Sequence, residues 1–523
     1  MLSNVDCTRT LESGLLGARF FVHDRLRGLD VAPHPARSLS FVLALGLVAC
    51  GGSSTPAPGT GSGGRPRPPE EDGGGSGSSA PAISPRPDGA AILPPADEEI
   101  ELPFRGPSVL RTLEIAAAPR VLDLHISVDT TSSMHQEIDE LQRSLGTLLI
   151  PMLRAKVPDV SFGVSRFEDF PVGPFGNVSL TRHDQPFALL SGITSDETRA
   201  ASAIALLDQP LGVGGDLPES GFEALFQIAT GQGYRHGGIE LIAPYVRKAE
   251  IGGGRVGGVG FRDGALRAVL HVTDAPSHTP AEYELEFPGT RDLQAAADEL
   301  LAIDAKLIGL VSECGPGSSC DSESYALARE QLERLATLTG AIVPAPDDQG
   351  CPYGVEGRVL PATDEGCPLV FDVAPDGTGL STTLVDSVAA LLDGTRFRVV
   401  SALATDDPIG FVQRIEPISP ELEPGQTPPE IADLFPESEP DGQTDSFVKV
   451  AAQTPVAFEL ELRNLAIAAS DAVQRFRVVI EVRGDGLVLE RRTLRIVIPR
   501  GERLAPIADA GPDDDAGGDS ARQ

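Results

Sequence analysis

Asp129, Thr131 and Ser133 stand at alternate positions in the stretch ISVDTTSSM, where an apolar run ends and an amphipathic one begins. In a tight strand-to-helix turn, alternate side chains face one point, so this loop offers a carboxylate and two hydroxyls together. Hard oxygen donors of that kind suit Mg²⁺, Mn²⁺ or Ca²⁺. The competing reading makes Asp129 or Ser132 a helix N-cap with nothing bound. Two later acidic loops weigh against it. One is Asp216-Leu217-Pro218-Glu219; the other is Thr273-Asp274-Ala275, at the end of a strand pattern. A carboxylate from such a loop completes a cation's shell and leaves room for water.

Those residues need elements that aim them. Leu122, Leu124, Ile126 and Val128 fall on one face of a strand, with Asp123, His125 and Ser127 on the other. Met134, Ile138, Leu141, Leu145, Leu148, Leu149 and Met152 then recur at helical spacing. Further strands are expected at 160–167, 266–274 and 305–312. Helices are expected at 194–209, 218–230, 290–304, 322–340 and 381–394, the first opened by a capping box Thr194-x-x-Glu197. This alternation over residues 107–394 predicts a doubly wound, Rossmann-like α/β domain with a mainly parallel sheet, whose ligands sit at the carboxyl ends of the strands. From 395 to 500 the period becomes two, which predicts a small all-β immunoglobulin-like sandwich. The glycine-rich stretch 251–260 lacks the Gly-Lys-Ser/Thr ending of a phosphate loop and reads as a flexible loop. Arg483-Gly484-Asp485 falls between two strand patterns and reads as a hairpin turn.

Composition narrows the function. The chain of 523 residues carries 42 Lys+Arg against 76 Asp+Glu, a formal net charge of −34. That excludes sequence-independent binding of nucleic acid, which requires cations against phosphates. There is no Trp, so cores must be built mainly from aliphatic residues and Phe. The apolar run 38–49 is too short to span a bilayer as a helix. It ends in Leu47-Val48-Ala49-Cys50-Gly51, which resembles a bacterial lipoprotein signal. That resemblance implies cleavage of a 1–50 leader before Cys50, acylation of Cys50, and an outer-membrane lipoprotein of the cell envelope, facing periplasm or cell surface. Residues 51–106, rich in Gly, Ser and Pro, read as a tether; about 55 such residues span roughly 40 Å. Residues 501–523 read as an acidic tail. With Cys7 and Cys50 assigned to the leader and anchor, Cys314, Cys320, Cys351 and Cys367 remain, and four cysteines allow three pairings. The local pairs Cys314–Cys320 and Cys351–Cys367 are the simplest. Zinc binding is the competing reading, without the CxxC spacing that would favour it.

The constellation resembles a von Willebrand factor type A (VWA) domain and, within that superfamily, the I-like domain of integrin β subunits. LDLHISVDTTSSM is similar to the family's strand and metal-ion-dependent adhesion site (MIDAS). FEDFP, DLPESGFEALFQ and VTDAPSH are similar to its later loops, and the likeness covers roughly residues 115–395. It implies that Asp129, Thr131, Ser133 and Glu219 coordinate a central Mg²⁺ or Mn²⁺, with Asp274 just behind. It implies a second site from Asp169, Asp216, Glu219 and the Pro218 carbonyl, and a third from the Ser133 carbonyl and Glu137, with Ca²⁺ at these flanking positions. Gly214 stands where the family has Asn, and Gln136 where it has Asp. The implied activity is ligation rather than turnover: an acidic group on a protein or other partner completes the metal's shell. His271 and His278 are isolated in sequence, HExxH and Gly-x-Ser-x-Gly are absent, and no general base presents itself for a metal-dependent hydrolase. The remaining alternative is a structural envelope protein whose ion only stiffens loops.

Overall fold

The computed structural model describes residues 98–501, apart from 179–182, 246–250, 284–285, 316–319, 347–349, 423–426 and 434–444. Cys50, the leader, nearly all of the tether and the acidic tail lie outside the described residues. No helix among the described residues is long and apolar enough to cross a membrane.

A six-stranded sheet forms the centre of the first layer system. Its spatial order is Val370–Val373, Ala305–Ser312, Leu266–Thr273, Val121–Asp129, Asp159–Phe167 and Ala188–Thr194. Every pairing is parallel except that of the Ala188–Thr194 edge. This is the mixed α/β architecture with a mainly parallel sheet that the alternation predicts. Helices cover both faces, so the central strand is buried throughout after Val121, on its polar side as well as its apolar side. Two of its polar residues are paired inside, Asp123 with Arg262 at 2.7 Å and His125 Nε2 with Ser165 Oγ at 2.9 Å, while Ser127 Oγ has no hydrogen-bond partner among the described residues. Burial holds the His125 imidazole down at about 3, so the ring is neutral.

Local chemistry shifts several predicted boundaries. The helix expected from 194 runs Glu197–Ile204, and its N-cap is Asp196, whose carboxylate accepts from Thr198 N and Arg199 N. The Thr194 hydroxyl instead donates to Ile251 O, so no capping box forms. The long helix after Asp129 is His135–Ser144, then a wider π turn Leu145–Leu149, then Ile150–Lys156. Pro151 has no N–H and crowds the preceding turn, which accounts for the widening. The glycine-rich stretch is a pinned turn rather than a loose loop. Gly258 N donates to Ile228 O and Ala229 O, and Val256 exchanges backbone hydrogen bonds with Phe261. The disulfides are the two local ones, Cys314–Cys320 and Cys351–Cys367.

The second unit is all β, but its strands come from both sides of the α/β domain. One sheet orders Glu98–Glu101, Leu487–Ile498, Gln474–Gly484, Arg396–Asp406, Ser446–Ala451 and Glu430–Ala432; the other orders Val412–Ile418, Pro455–Leu462 and Val109–Ala116. Both contribute to one hydrophobic core, in which Ile115 and Phe458 meet Val400 and Ile480. Two expected boundaries are corrected here. Residues 98–101 are not tether, and 109–116 do not open the α/β domain. Glu98–Glu101 adds parallel to Leu494–Val497, and Val109–Ala116 pairs antiparallel with Pro455–Leu462. The α/β domain is thus inserted between the N-terminal and the later strands of the β unit. The two join at the amino ends of the sheet, through Val488 N to Gly264 O (2.9 Å) and Arg120 to Glu490 (2.9 Å). The carboxyl ends are left at the opposite pole.

Candidate metal centre

At that pole four loops are laced by backbone hydrogen bonds. Thr130 N donates to Phe167 O, and Gly212 N to Thr130 O. Ser220 N and Oγ both donate to Glu168 O. Glu219 N donates to Pro276 O, while His278 N donates back to Glu219 O. The lacing ties the loop after Val121–Asp129 to those at 167–170, 212–220 and 274–278. Asp184 adds a buried clamp, accepting from Asn177 N, Val213 N and Gly214 N.

The laced loops set Asp129, Thr131 and Ser133 side by side and bring Asp274 and Glu219 within electrostatic reach of Asp129. The one group of Asp, Glu and His side chains among the described residues whose ligand atoms converge within 4.8 Å lies elsewhere, at Asp169, Asp216 and His278. Asp129 Oδ1 accepts from Thr131 N at 2.9 Å and from Thr131 Oγ1 at 2.7 Å, and its Oδ2 accepts from Thr273 Oγ1 at 2.8 Å. Thr131 and Ser133 hydroxyls lie 3.2 Å apart, and Ser133 bonds the Asp274 carboxylate. Asp129, Thr131, Glu219 and Asp274 are buried, whereas Ser133 is exposed on the rim. Glu219 Oε2 is buried with no hydrogen-bond partner among the described residues.

Electrostatics mark the same place. Burial, then the neighbouring Asp274 carboxylate, push Asp129 up to about 7 against the hydrogen bonds it accepts. Glu219 is pushed well above the usual carboxylate range by burial and then by Asp129, Asp169, Asp184 and Asp274. Asp274 is raised by burial, opposed by its bond from Ser133. No Lys or Arg among the described residues pairs with Asp129, Glu219 or Asp274. A cluster of buried carboxylates in this state has the donor set and the charge deficit that fit a divalent cation.

Of the residues assigned to the flanking sites, Asp169 and Asp216 come together, and they do so around His278. His278 Nε2 lies 3.1 Å from Asp169 Oδ2 and 3.3 Å from Asp216 Oδ1. Sequence reading treats His278 as isolated, because its partners sit on distant segments; its one local signal is its place four residues after Asp274. Pro218 is half-buried between Asp216 and Glu219. Glu137 turns inward, accepting from Ser312 Oγ, and burial raises it to about 6. Its Oε2 is buried and without a hydrogen-bond partner among the described residues. His271 stacks on Phe167 with centroids 4.6 Å apart and is held neutral by burial, at about 3. Arg483-Gly484-Asp485 is a closed hairpin turn, with the Asp485 carboxylate taken by Arg398 N and Val399 N.

No protein-family model matches the chain, and no curated protein matches it. Solved structures of similar shape include a von Willebrand factor type A protein from Catenulispora acidiphila, at 14% identity and a TM-score of 0.28, covering 78% of this chain and 72% of that one. They also include the pilus adhesin SpaC from Lactobacillus rhamnosus GG in its open conformation, at 11% identity and a TM-score of 0.29. That match covers 76% of this chain and 46% of the adhesin. Likenesses at these scores carry no functional argument, so the function is argued from the site.

Proposed function

We propose that the chain is a divalent-cation-dependent binding protein of the cell envelope, with a VWA-like, integrin-I-like head. Its central Mg²⁺ or Mn²⁺ is held by Asp129, Thr131, Ser133, Glu219 and Asp274, and ligates an acidic group of a partner. The reading is carried by Glu219, a buried carboxylate with an unpartnered oxygen, repelled by neighbouring carboxylates and paired with no Arg or Lys among the described residues. The exposure of Ser133 above the buried ligands supports a shell open towards a partner rather than a closed, stiffening ion. An acyl anchor at Cys50, a tether, and an immunoglobulin-like β unit under the head would carry the site away from a membrane surface. These residues bind and orient; none is assigned a proton-transfer role.

Isothermal titration of the chelator-stripped chain tests this. Mg²⁺ or Mn²⁺ binds the wild type, and Asp129→Ala abolishes that binding. Unchanged binding in the variant ends the assignment.

A further inference from the structure

We infer that Asp169, Asp216 and His278 form a second metal site, which takes a borderline transition-metal ion such as Zn²⁺ rather than Ca²⁺ or Mg²⁺. It shares no ligand with the central five.

The spacing is that of a coordination polyhedron. One ligand atom from each of the three residues can be chosen so that all lie within 4.8 Å of one another, with Nε2 at 3.1 and 3.3 Å from the two carboxylate oxygens. For bonds of 2.0–2.2 Å the ligand–ligand edge is about 3.0 Å in an octahedron and about 3.4 Å in a tetrahedron. A metal therefore enters with little side-chain movement.

A second observation points to a ligand. Asp169 is fully buried; its Oδ1 is taken by Phe170 N and the Tyr283 hydroxyl. Its Oδ2 accepts no hydrogen bond among the described residues, and its near neighbour is the His278 imidazole, with Nε2 at 3.1 Å. A wholly enclosed anionic oxygen is thus left facing the gap between the three groups. Asp216, with its side chain 35% exposed, leaves the solvent side free for water.

The imidazole decides the class of metal. Ca²⁺ and Mg²⁺ take oxygen ligands, whereas imidazole nitrogen suits Zn²⁺ and its neighbours. The ring is also held in place by its packing. Glu282 Oε2 stands 3.5 Å from Nδ1 on its far side, and Phe175 and Tyr283 pack against the ring with centroids at 5.2 and 4.6 Å. Nδ1 makes no hydrogen bond among the described residues, and Glu282 Oε2 accepts from Thr279 N and Oγ1, so the packed rings hold the imidazole's orientation.

The test uses the full chain, stripped of metal, titrated with Zn²⁺ by calorimetry and with Co²⁺ by visible absorption. One Zn²⁺ site is expected in the wild type and in Asp129→Ala. It is weakened about 100-fold in His278→Gln and in Asp216→Asn. The Co²⁺ ligand-field bands disappear in His278→Gln. Asp216→Asn changes a part-exposed side chain, so its loss of binding is not a folding defect, and unchanged circular dichroism checks that. Absence of Zn²⁺ binding in the wild type overturns the inference, as does Zn²⁺ binding unaffected by both variants. Loss of Zn²⁺ in Asp129→Ala but not in His278→Gln also overturns it. Mg²⁺ binding without Zn²⁺ binding leaves the central site standing and removes only this one.

Discussion

Buried carboxylates occur both in the body of the molecule and at the carboxyl pole of its sheet, and they are treated differently. In the body three of them are paired with arginines. Asp123 meets Arg262 through its guanidinium and backbone N–H, Asp372 meets Arg329 and Arg358, and Glu481 in the β unit meets Arg483 and Arg491. Burial pushes Glu481 up, yet its arginine partners outweigh burial and leave it below its usual range. At the pole Asp129, Glu219 and Asp274 are also enclosed, and no arginine among the described residues pairs with them. Burial drives all three up, and repulsion by neighbouring carboxylates adds to it at Asp129 and Glu219. Buried acids without an arginine elsewhere are satisfied by hydrogen bonds instead, as Glu223 is by Gln227 and the Arg291 backbone N–H, whereas Glu219 keeps an oxygen with no partner among the described residues. That oxygen is accounted for if an ion from solution does the same work.

Breaking the comparison at the pole has the largest effect. Asp129→Ala removes the ligand at the focus and weakens Mg²⁺ or Mn²⁺ by 100-fold or more, read by calorimetry. Breaking it in the body comes next. Arg262→Met leaves Asp123 enclosed without its guanidinium and costs about 3–5 kcal/mol, read by denaturant unfolding. Sharpening it follows. In metal-free protein, Glu219→Gln removes a repelled charge and raises stability by about 1–2 kcal/mol, whereas with saturating Mg²⁺ the same variant is less stable than wild type. The smallest effect belongs to the supporting backbone. A Cβ on Gly215 would meet the Pro174 carbonyl oxygen at 2.0 Å, so Gly215→Ala displaces the neighbouring Asp216. Metal affinity at the His278 cluster should then fall several-fold.

What was legible in the sequence was what is local. The strand before Asp129, the hydroxyls after it and the acidic loops at 216–219 and 273–275 each announce themselves within a few residues. The strand alternation likewise gave the parallel core, and the nearest cysteines pair. What escaped depends on partners remote in the chain. Glu98–Glu101 reads as tether until Leu494–Val497 pairs with it, and Val109–Ala116 reads as the start of the α/β domain until it lies beside Pro455–Leu462. His278 looks solitary because Asp169 and Asp216 reach it only after the loops close, drawn in by the backbone exchange between Glu219 and residues 276–278. The cap at Asp196 outcompeted Thr194 because its carboxylate accepts two N–H groups of the first turn, while Thr194 is occupied by Ile251.

The most direct test is thermal unfolding of the chelated chain across pH 5 to 8, with and without Mg²⁺. Asp129 moves from an ordinary 3.8 to about 7 in the folded, metal-free protein, so the folded state holds the extra proton in that window. Stability should therefore fall as pH rises from 5 to 8, by on the order of 2–3 kcal/mol from this group. Mg²⁺ at 100 times its Kd should return about 2.7 kcal/mol, most fully at pH 8, where no proton competes. A melting temperature that climbs from pH 5 to 8 without metal, and does not respond to Mg²⁺ or Mn²⁺ at pH 8, would contradict the account.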